Sequence, residues 1–517
     1  MHEVPSGLLI AICVVPAALA LVTYPLARAA RPLGPILNLL GAVLTAALAV
    51  PLALGAMQGQ VLVAVSRELR ADALSALLVL VISFVSLATA VYAFPYMRLE
   101  LLLNRAGRDA GPEARSRRLA TFYALSLAFL ATMVWACVTN NIIMLYVSVE
   151  ASTIASGLLV AFYWDRRSLE AGYKYLLLLT VGIAFALFGC VFLYASAAPY
   201  VSEAAGVRAM LISDLPQVAV HIPRGIALLI MGFFIVGFGT KAGLAPFHPW
   251  LPDAHAEAPS PVSALLSGVM IKMAIYALAR TLSIFFPVAA YHPVSLFLVV
   301  LAAFTMLLGG VMCLAQDDLK RLLAYSSVSQ IGYIAMAIGI VGLGFGQTTG
   351  YLAGYGGLFH LLNHALSKAA LFLAVGAIIY TTAGRRMSEL SGLARRMPVT
   401  GVAFFVAAFA ISGMPPFNGF WSKLSIYMAA AKAELWWALG IAIATSLLTL
   451  IAFVRAGYRV FWSEGDADLA EAEPRDAPVA MLLPMGVLAG LCVLIGVYPQ
   501  SVYPLLDPAA RALASIF

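Results

Sequence analysis

The sequences GLAPFHPW at residues 243–250 and GMPPFNGF at residues 413–420 decide the fold of this chain. Each interrupts a long apolar run with proline, at Pro246 in the first and at Pro415 and Pro416 in the second. Proline removes a backbone donor and clashes with the preceding turn, so each interruption frees carbonyl groups that need water, ions or polar side chains. The two sequences therefore predict two broken membrane helices, which mark where a hydrophilic path can cross.

The two breaks occupy matching places in two blocks of equal length, residues 120–283 and 293–456. Each block has room for about five membrane helices, and an odd number of spans reverses the direction of the next block. The pattern predicts an inverted repeat with one broken helix in each half, as in transporters. Residues 1–119 are expected to hold three further spans and a basic cytoplasmic loop at 98–118, and residues 457–517 the last span.

The composition requires a membrane. Hydrophobic residues make up 63% of the 517 residues and charged residues only 11%, against about a quarter in soluble domains. The expected fold class is an all-α polytopic membrane protein of about 14 transmembrane helices, each long enough for a hydrocarbon layer of about 30 Å. The predicted spans are 8–27, 34–57, 72–96, 120–138, 142–163, 174–197, 225–250, 262–283, 293–315, 322–344, 350–381, 398–428, 436–456 and 477–499.

The net charge of +7 does not indicate a nucleic-acid partner, because the basic residues lie in short loops where they determine topology. Most of them follow odd-numbered spans, with runs at 98–118, 385–396 and 455–475. The positive-inside rule then places both termini outside the cytoplasm.

Five cysteines lie singly within apolar runs, without the spacing that holds a cluster, haem or zinc. They are expected to be small buried hydrophobes, and no cofactor is expected to bind to this chain. The five are Cys13, Cys137, Cys190, Cys313 and Cys492.

Arg280 lies near the end of a span in the first block, and three other ionisable residues of this block lie further inside spans, where a charge costs at least about 2.5 kcal/mol. Glu150 is midway along its span, and Lys241, shortly before the first break, is its expected counter-charge. Burial brings amine titration closer to neutral pH and pairing opposes this, so opening the pair would switch Lys241 between two protonation states. Lys272 lies mid-span with no acid near it in sequence, which suits a proton carrier. A static ion pair and a snorkelling lysine are the alternatives.

His360, His364 and Lys368 recur every four residues in GLFHLLNHALSKAALF and so share one helix face. Such a stacked ladder can relay protons because imidazole titrates near neutral pH, with packing histidines as the alternative. A zinc site is disfavoured because no carboxylate or cysteine lies close by, and no metal site is predicted. Lys423 follows the second break, and is the expected terminal proton site or else an interfacial lysine.

Polar residues also cluster in loops predicted to face the cytoplasm, where they are either a proton uptake funnel or structural. For acids at a helix start, capping is the default because they complement the helix dipole. The cluster comprises His248, Asp253, His255, Asp318 and Lys320.

These segments resemble the antiporter-like membrane subunits shared by respiratory complex I, Mrp cation/proton antiporters and group 4 nickel-iron hydrogenases. The resemblance extends from about residue 121 to 423. It is carried by TNNIIMLYVSVEAST, SLEAGYKYLLLLTVGIAFALFG, GTKAGLAPFHPWLPDAHAEAPSPVSALLSG, DLKRLLAYSSVSQIGY and HLLNHALSKAALF. Together they look most like the F-type subunit of hydrogenase 4 and formate hydrogenlyase complexes, with the M-type subunit of NADH-quinone oxidoreductase second.

The resemblance implies fourteen spans, breaks in the seventh and twelfth, and a polar axis along the middle of the membrane. The family's fifth-span glutamate matches Glu150, its seventh-span and eighth-span lysines match Lys241 and Lys272, and its twelfth-span site matches Lys423. Its relay positions match His360, His364 and Lys368. Lys272 is similar to the M-type pattern, whereas Lys423 replaces the M-type glutamate and is similar to the L-type or Mrp pattern.

The expected function is that of a proton-translocating subunit in a redox-driven respiratory or hydrogenase complex of a bacterial or archaeal cytoplasmic membrane. The resemblance implies other membrane subunits and a peripheral redox arm as partners, since the chain has no redox chemistry of its own. A sodium or potassium antiporter subunit of Mrp type is the alternative, although it predicts an axis of oxygen ligands rather than lysine and histidine. A membrane anchor with a vestigial channel is a third possibility.

Overall fold

The computed structural model describes residues 2–103, 111–201, 208–288, 291–463 and 475–514. Thirteen helices in these ranges are long and apolar enough to cross a membrane, so the predicted polytopic helical fold is confirmed. Residues 104–110 of the basic loop and residues 464–474 of the run at 455–475 lie outside the described residues.

The helices follow the predicted order, and most of their ends lie within three residues of the predicted ones. The first block and the segment before it contain α1 (Leu8–Ala29), α2 (Leu33–Met57), α3 (Ala73–Leu103), α4 (Pro112–Val138), α5 (Ile142–Val160), α6 (Arg166–Ala197), α7 (Leu215–Val218), α8 (Arg224–Ala242), α9 (Trp250–Glu257), α10 (Ser260–Leu265) and α11 (Ile271–Ser283). The remainder contains α12 (His292–Leu314), α13 (Leu319–Gly342), α14 (Gln347–Thr382), α15 (Pro398–Ser412), α16 (Asn418–Lys432), α17 (Trp436–Gly457), α18 (Val479–Val497) and α19 (Tyr503–Ala514).

Both predicted breaks are present and have the same local design. Helix α8 ends before Gly243 (φ 82°) and α15 ends before Gly413 (φ 84°), and this left-handed conformation favours glycine. In each case the residue after the glycine donates its N–H to a carbonyl five residues back, from Leu244 to Gly239 and from Met414 to Phe409. The chain resumes as α9 after the first break and as α16 after the second. The inverted relation of the two blocks and their boundaries stay predictions.

Helix α18 packs directly against the second break, which gives a test of the fold. A Cβ at Gly496 would collide with the backbone of Pro416, Phe417 and Asn418, whereas a Cβ at Gly486 of the same helix would meet open space. We expect Gly496→Ala to lower the free energy of unfolding by about 1–3 kcal/mol, the usual cost of overpacking. Thermal unfolding of the purified chain in detergent measures this. Gly486→Ala is the matched control, and equal melting temperatures for the two variants would contradict the described packing.

A small sheet that the sequence did not predict lies at one face of the bundle. Strand β1 (His2–Pro5) pairs in parallel with β2 (Gln60–Ala64), and β2 pairs antiparallel with β3 (Leu69–Ala71). A cavity of about 240 Å³ at this face, hereafter the sheet face, is lined by residues from β3 and from the C-terminal helix α19, including Arg70 and Ala512. The first strand and the last helix therefore lie on the same side of the bundle.

Beside this cavity, α11 is tied to the start of α3 by a buried ion pair. Arg280 donates to the Asp72 carboxylate and, at 3.1 Å, to the Ser75 hydroxyl. Arg70 reaches the second oxygen of Asp72 at 3.2 Å. Burial alone would raise the pKa of the Asp72 carboxyl, but the Arg280 guanidinium, helped by Arg70, holds that pKa below its usual range.

The loops at the opposite face enclose a polar cavity of about 420 Å³. Its lining comes from the loops after α5 and α14, from the ends of α9 and α14, from the starts of α6 and α13, and from α3. The alternation of loops predicts that these segments share one side. We call this side the Arg385 face. The residues that line the cavity include Tyr96, Tyr163, Asp165, Arg167, Glu257, Lys320, Arg385 and Glu389.

Candidate functional site

Lys241 lies in the last turn of α8, just before the first break, and is fully buried. Its ammonium group donates to the Thr153 hydroxyl of α5 at 2.7 Å. Glu150, one turn earlier on α5, instead accepts from the Thr180 hydroxyl of α6 at 2.8 Å, and its other carboxylate oxygen has no partner among the described residues. The direct ion pair expected between Lys241 and Glu150 is thus not formed, because Thr153 takes the place of the acid.

Two more hydroxyl groups continue from Thr153 toward the middle of the bundle. Ser156 donates to the Thr153 carbonyl at 3.2 Å, and its hydroxyl lies 2.6 Å from that of Tyr175 on α6. Tyr175 also lies 3.1 Å from the sulfur of Met270, at the end of a π-helical turn. Thr153, Ser156 and Tyr175 therefore form a series of contacts between Lys241 and the segment that precedes Lys272, in which the Ser156–Tyr175 contact joins two hydroxyl groups and the others end on a carbonyl and on a sulfur.

Lys272 follows this π-helical turn, Leu266–Met270, which joins α10 to α11. The Ile271 N–H bonds the Leu266 carbonyl, five residues back, rather than that of Ser267. The Ser267 carbonyl accepts a hydrogen bond from the Lys272 ammonium group instead. Lys272 has no exposed surface, so the snorkelling alternative does not apply.

The first block contacts the second block at a pair of serine hydroxyl groups. Ser267 Oγ lies 2.7 Å from Ser327 Oγ of α13, and either can be the donor. Ser327 in turn donates to the Leu323 carbonyl at 2.8 Å. Lys368 of α14 donates to the same carbonyl at 3.0 Å and also to the Ser326 hydroxyl. Lys272 and Lys368 are therefore joined by a short series of hydrogen-bonding groups.

The predicted ladder on α14 is present and buried. The rings of His360 and His364 stack with centroids 6.3 Å apart and an interplanar angle of 23°, and Lys368 lies one turn further along. His360 Nδ1 is 3.1 Å from the Ser422 hydroxyl of α16. Both ring nitrogens of His364 lack a partner among the described residues. A buried ring nitrogen that has no protein partner needs a water molecule as its hydrogen-bond partner. Such a need suits a hydrated proton relay.

Lys423 of α16 completes the line and is only 2% exposed. Its ammonium group donates to the Ser446 hydroxyl at 2.9 Å and to the Ser412 carbonyl at 3.2 Å. Ser412 is the last residue of α15, so the second break supplies this acceptor. The ammonium group also lies 4.7 Å from the ring centre of Tyr333, whose ring in turn neighbours His360 at 5.4 Å. These contacts place Lys423 inside the bundle rather than at the membrane interface.

The acids at the Arg385 face are held in structural contacts. Asp318 caps α13 by accepting from the Lys320 and Arg321 N–H groups, as predicted, and it pairs with Arg385 at 2.8 Å. Asp253 pairs with Arg321 at 2.9 Å. The Lys320 ammonium group donates to the Ala258 carbonyl at 2.7 Å. For Asp253 and Asp318, these contacts favour the structural alternative over the uptake funnel.

The two histidines near the first break differ in burial. His255 of α9 is fully buried and stacks on Phe372 at 4.6 Å, and neither of its ring nitrogens has a partner among the described residues. His248, in the break itself, is partly exposed and lies edge-on to Tyr325. Within the described ranges, no group of three or more His, Cys, Asp or Glu side chains is arranged to hold a metal ion.

Sequence analysis missed the hydroxyl groups that connect the charged residues. Serine and threonine occur throughout the apolar spans, so their presence alone does not single out a site. One signal was available, because Thr153 and Ser156 follow Glu150 at helical spacing in EASTIAS. No such spacing relates Ser267 to Ser327, or Lys423 to Ser446, because their contacts join different helices.

Family profiles match most of the chain. The family described as NADH:quinone oxidoreductase/Mrp antiporter, TM, matches residues 139–449. The family described as NADH-ubiquinone oxidoreductase (complex I), chain 5 N-terminus, matches residues 62–105. The larger match includes every residue of the proposed line from Glu150 to Lys423.

Individual proteins agree with these profiles. The NADH-quinone oxidoreductase subunit N of Desulforudis audaxviator is 36% identical over 84% of this chain and 83% of its own length. The hydrogenase-4 component F homolog of Methylacidiphilum infernorum is 35% identical over 74% of this chain and 76% of its own. A chain of the archaeal membrane-bound sulfane sulfur reductase superposes with a TM-score of 0.84 at 25% identity, covering 99% of this chain and 98% of its own.

Proposed function

Because this chain belongs to the transmembrane family of NADH:quinone oxidoreductase and Mrp antiporter subunits, we propose that it moves protons across a membrane along the line from Lys241 to Lys423. Members of that family with similar sequences include subunits of NADH-quinone oxidoreductase, hydrogenase 4 and Na⁺/H⁺ antiporters. The chain is a multi-pass membrane protein.

The observation that carries this proposal is the burial of several amines and imidazoles on neighbouring helices of one membrane bundle. Keeping an ionisable group inside a membrane is costly, so such groups are rare there and mark proton relays or ion paths. An amine without a direct acid partner is not held in its charged form by an ion pair, as a proton carrier requires. The members of the line are Lys241, Lys272, Lys368, His364, His360 and Lys423, each at most 2% exposed.

The Arg385 face is the proposed side of proton uptake, and it corresponds to the cytoplasm. The polar cavity at this face offers Glu257 and Lys320 near the first break. Protons then pass to Lys241 and Lys272, cross to Lys368, follow the histidines of α14 and leave from Lys423 toward the sheet face. In this orientation both chain ends lie outside the cytoplasm of a bacterial or archaeal cell, as the loop charges favour.

The energy for transport would come from partner subunits. Moving one proton against 100 mV costs about 2.3 kcal/mol. The proposed source of this energy is a redox-driven parent complex with further membrane subunits and a peripheral redox arm. One relative supports a redox-driven parent complex, because a protein named as subunit N of an F420H2 dehydrogenase is 32% identical to this chain.

Removal of the terminal lysine tests the proposed function. We expect Lys423→Ala to slow proton flux by about tenfold, because a positioned proton carrier contributes at least that much. The full chain is reconstituted into vesicles that enclose a pH-sensitive dye, and a potassium diffusion potential drives proton uptake. The initial rate of the dye signal is the measurement.

Lys432 provides the matched control because it lies on the same helix and is exposed. Lys432→Ala should conduct like the unchanged chain. Equal flux through Lys423→Ala and the unchanged chain would reject the proposal in favour of a membrane anchor. A flux that requires sodium in the buffer would instead favour a sodium antiporter.

A further inference from the structure

The transfer of a proton between the two halves of the chain is the step for which the charged residues alone give no route. Lys272 belongs to α11 and Lys368 to α14, and each ammonium group donates to a backbone carbonyl. A carbonyl oxygen has no proton to pass on, so these hydrogen bonds hold the lysines without connecting them as a relay. A connection needs groups that both accept and donate.

We propose that the hydroxyl pair of Ser267 and Ser327 passes the proton from Lys272 to Lys368, and so joins the two halves of the path. This inference rests on the proposed function and names the residues of one step in it. Both serines are fully buried, and their oxygens are 2.7 Å apart. A hydroxyl is a donor and an acceptor at once, which is the property that the step requires.

The position of each serine relative to its lysine supports the assignment. The Lys272 ammonium group already bonds the carbonyl of Ser267, the residue that carries the first hydroxyl. On the other side, the Ser327 hydroxyl and the Lys368 ammonium group bond the same Leu323 carbonyl, at 2.8 Å and 3.0 Å. Their separation therefore cannot exceed the sum of these two distances. One bridging water molecule can span a separation of that size on the Lys368 side.

The local backbone explains why the pair forms here. Ser267 lies in the π-helical turn, and such turns are frequent at functional sites. Gly268 follows it, and a Cβ at that position would lie 3.2 Å from Val85 of α3 and 3.6 Å from Ala369 of α14. This turn therefore packs directly against the helix that carries Lys368.

The step conserves atoms and charge. An N–H bond of the Lys272 ammonium breaks, and its proton joins the oxygen of Ser267. Ser267 gives its original proton to the oxygen of Ser327, and the proton of Ser327 forms a new N–H bond on the neutral amine of Lys368. Both hydroxyl groups are regenerated, and rotation about their C–O bonds resets them. Repulsion between two neighbouring ammonium groups favours one proton at a time on this pair of lysines.

Alanine substitutions in the vesicle assay test the pair. We expect Ser267→Ala and Ser327→Ala each to slow proton flux by about tenfold or more. The double variant should be no slower than the slower single variant, because both changes interrupt the same step. Ser267→Thr and Ser327→Thr keep the hydroxyl and should retain more flux than the alanine variants, which a purely steric role would not produce.

Ser329 is the matched control, since it lies on α13 two residues after Ser327, is fully buried, and its hydroxyl has no partner among the described residues. Ser329→Ala should conduct normally. Melting temperatures in detergent identify any variant whose flux falls because it unfolds. The outcome that overturns the inference is normal flux in folded Ser267→Ala and Ser327→Ala while Lys423→Ala is slow. Normal flux in all variants, Lys423→Ala included, would reject the proposed function itself.

Discussion

Replacing Lys368 by methionine is expected to slow proton flux through the reconstituted chain by about a hundredfold or more, the lower end of the usual range for loss of a positioned proton carrier. Lys368 contacts α13 through Leu323 and Ser326, and it stands at the base of the histidine ladder. Every proton that crosses between the halves passes through it in the proposed route. At Lys423, by contrast, water near the outlet can replace part of the function, so the expected loss there is smaller.

Arginine at the same position separates proton transfer from a static charge. Arginine stays protonated at all accessible pH values, so Lys368→Arg keeps a cation and removes a carrier. We expect it to be nearly as slow as Lys368→Met. The measurement is the dye signal in vesicles, with melting temperature as the test for folding and Lys174→Met, which removes a half-exposed surface lysine of α6, as the control. Full flux in folded Lys368→Arg would show that only the charge matters.

The Asp72→Asn substitution is expected to cause the largest loss of stability, about 3–5 kcal/mol of unfolding free energy. The change leaves the guanidinium of Arg280 buried without its counter-ion, and removing one partner of a buried pair costs far more than the pair itself contributes. Asp72 is 4% exposed and also accepts from the Ser75 N–H at 3.0 Å. Unfolding by a denaturing detergent in mixed micelles, followed by circular dichroism, measures the difference.

Glu3→Gln is the control for this experiment because Glu3 pairs with Arg67 at 3.4 Å on a partly exposed surface. Such pairs contribute about 0–1 kcal/mol. The pH dependence has a defined sign: because the pKa of Asp72 is lowered in the folded chain, its stabilising effect is complete above the ordinary carboxyl pKa of about 3.9. It is lost only as pH falls through the lower folded-state value. A loss for Asp72→Asn no larger than that for Glu3→Gln would contradict the burial of this pair.

The two halves of the chain hold their lysines by a common principle. Lys241 precedes the first break and Lys423 follows the second, and each bonds a hydroxyl group rather than an acid, Thr153 in one case and Ser446 in the other. A neutral acceptor stabilises an ammonium group less than a carboxylate does. Neither lysine is thus locked in a direct ion pair, which suits a site that must release its proton.

The sequence predicted the charged residues well and their partners poorly. Glu150 and the ladder residues of α14 could be found because an ionisable residue in an apolar span stands out, and because i, i+4 spacing defines one helix face. The prediction of a direct ion pair between Lys241 and Glu150 failed because it took the nearest available acid as the partner of the lysine. Likewise, the ion pair of Asp72 with Arg280 joins two distant segments that no local pattern connects.

Composition, hydrophobic runs and the two proline-containing breaks determined by themselves that this chain crosses a membrane many times and carries buried amines and imidazoles. Those properties follow from the cost of exposing polar groups to lipid, which acts on each segment separately. Only the tertiary structure decided which hydroxyl and carbonyl groups meet each amine, as at Ser446, and which hydroxyl groups meet each other, as at Ser267 and Ser327. These contacts depend on the packing of separate helices, and distances across such interfaces are not encoded in the spacing of residues along any one of them.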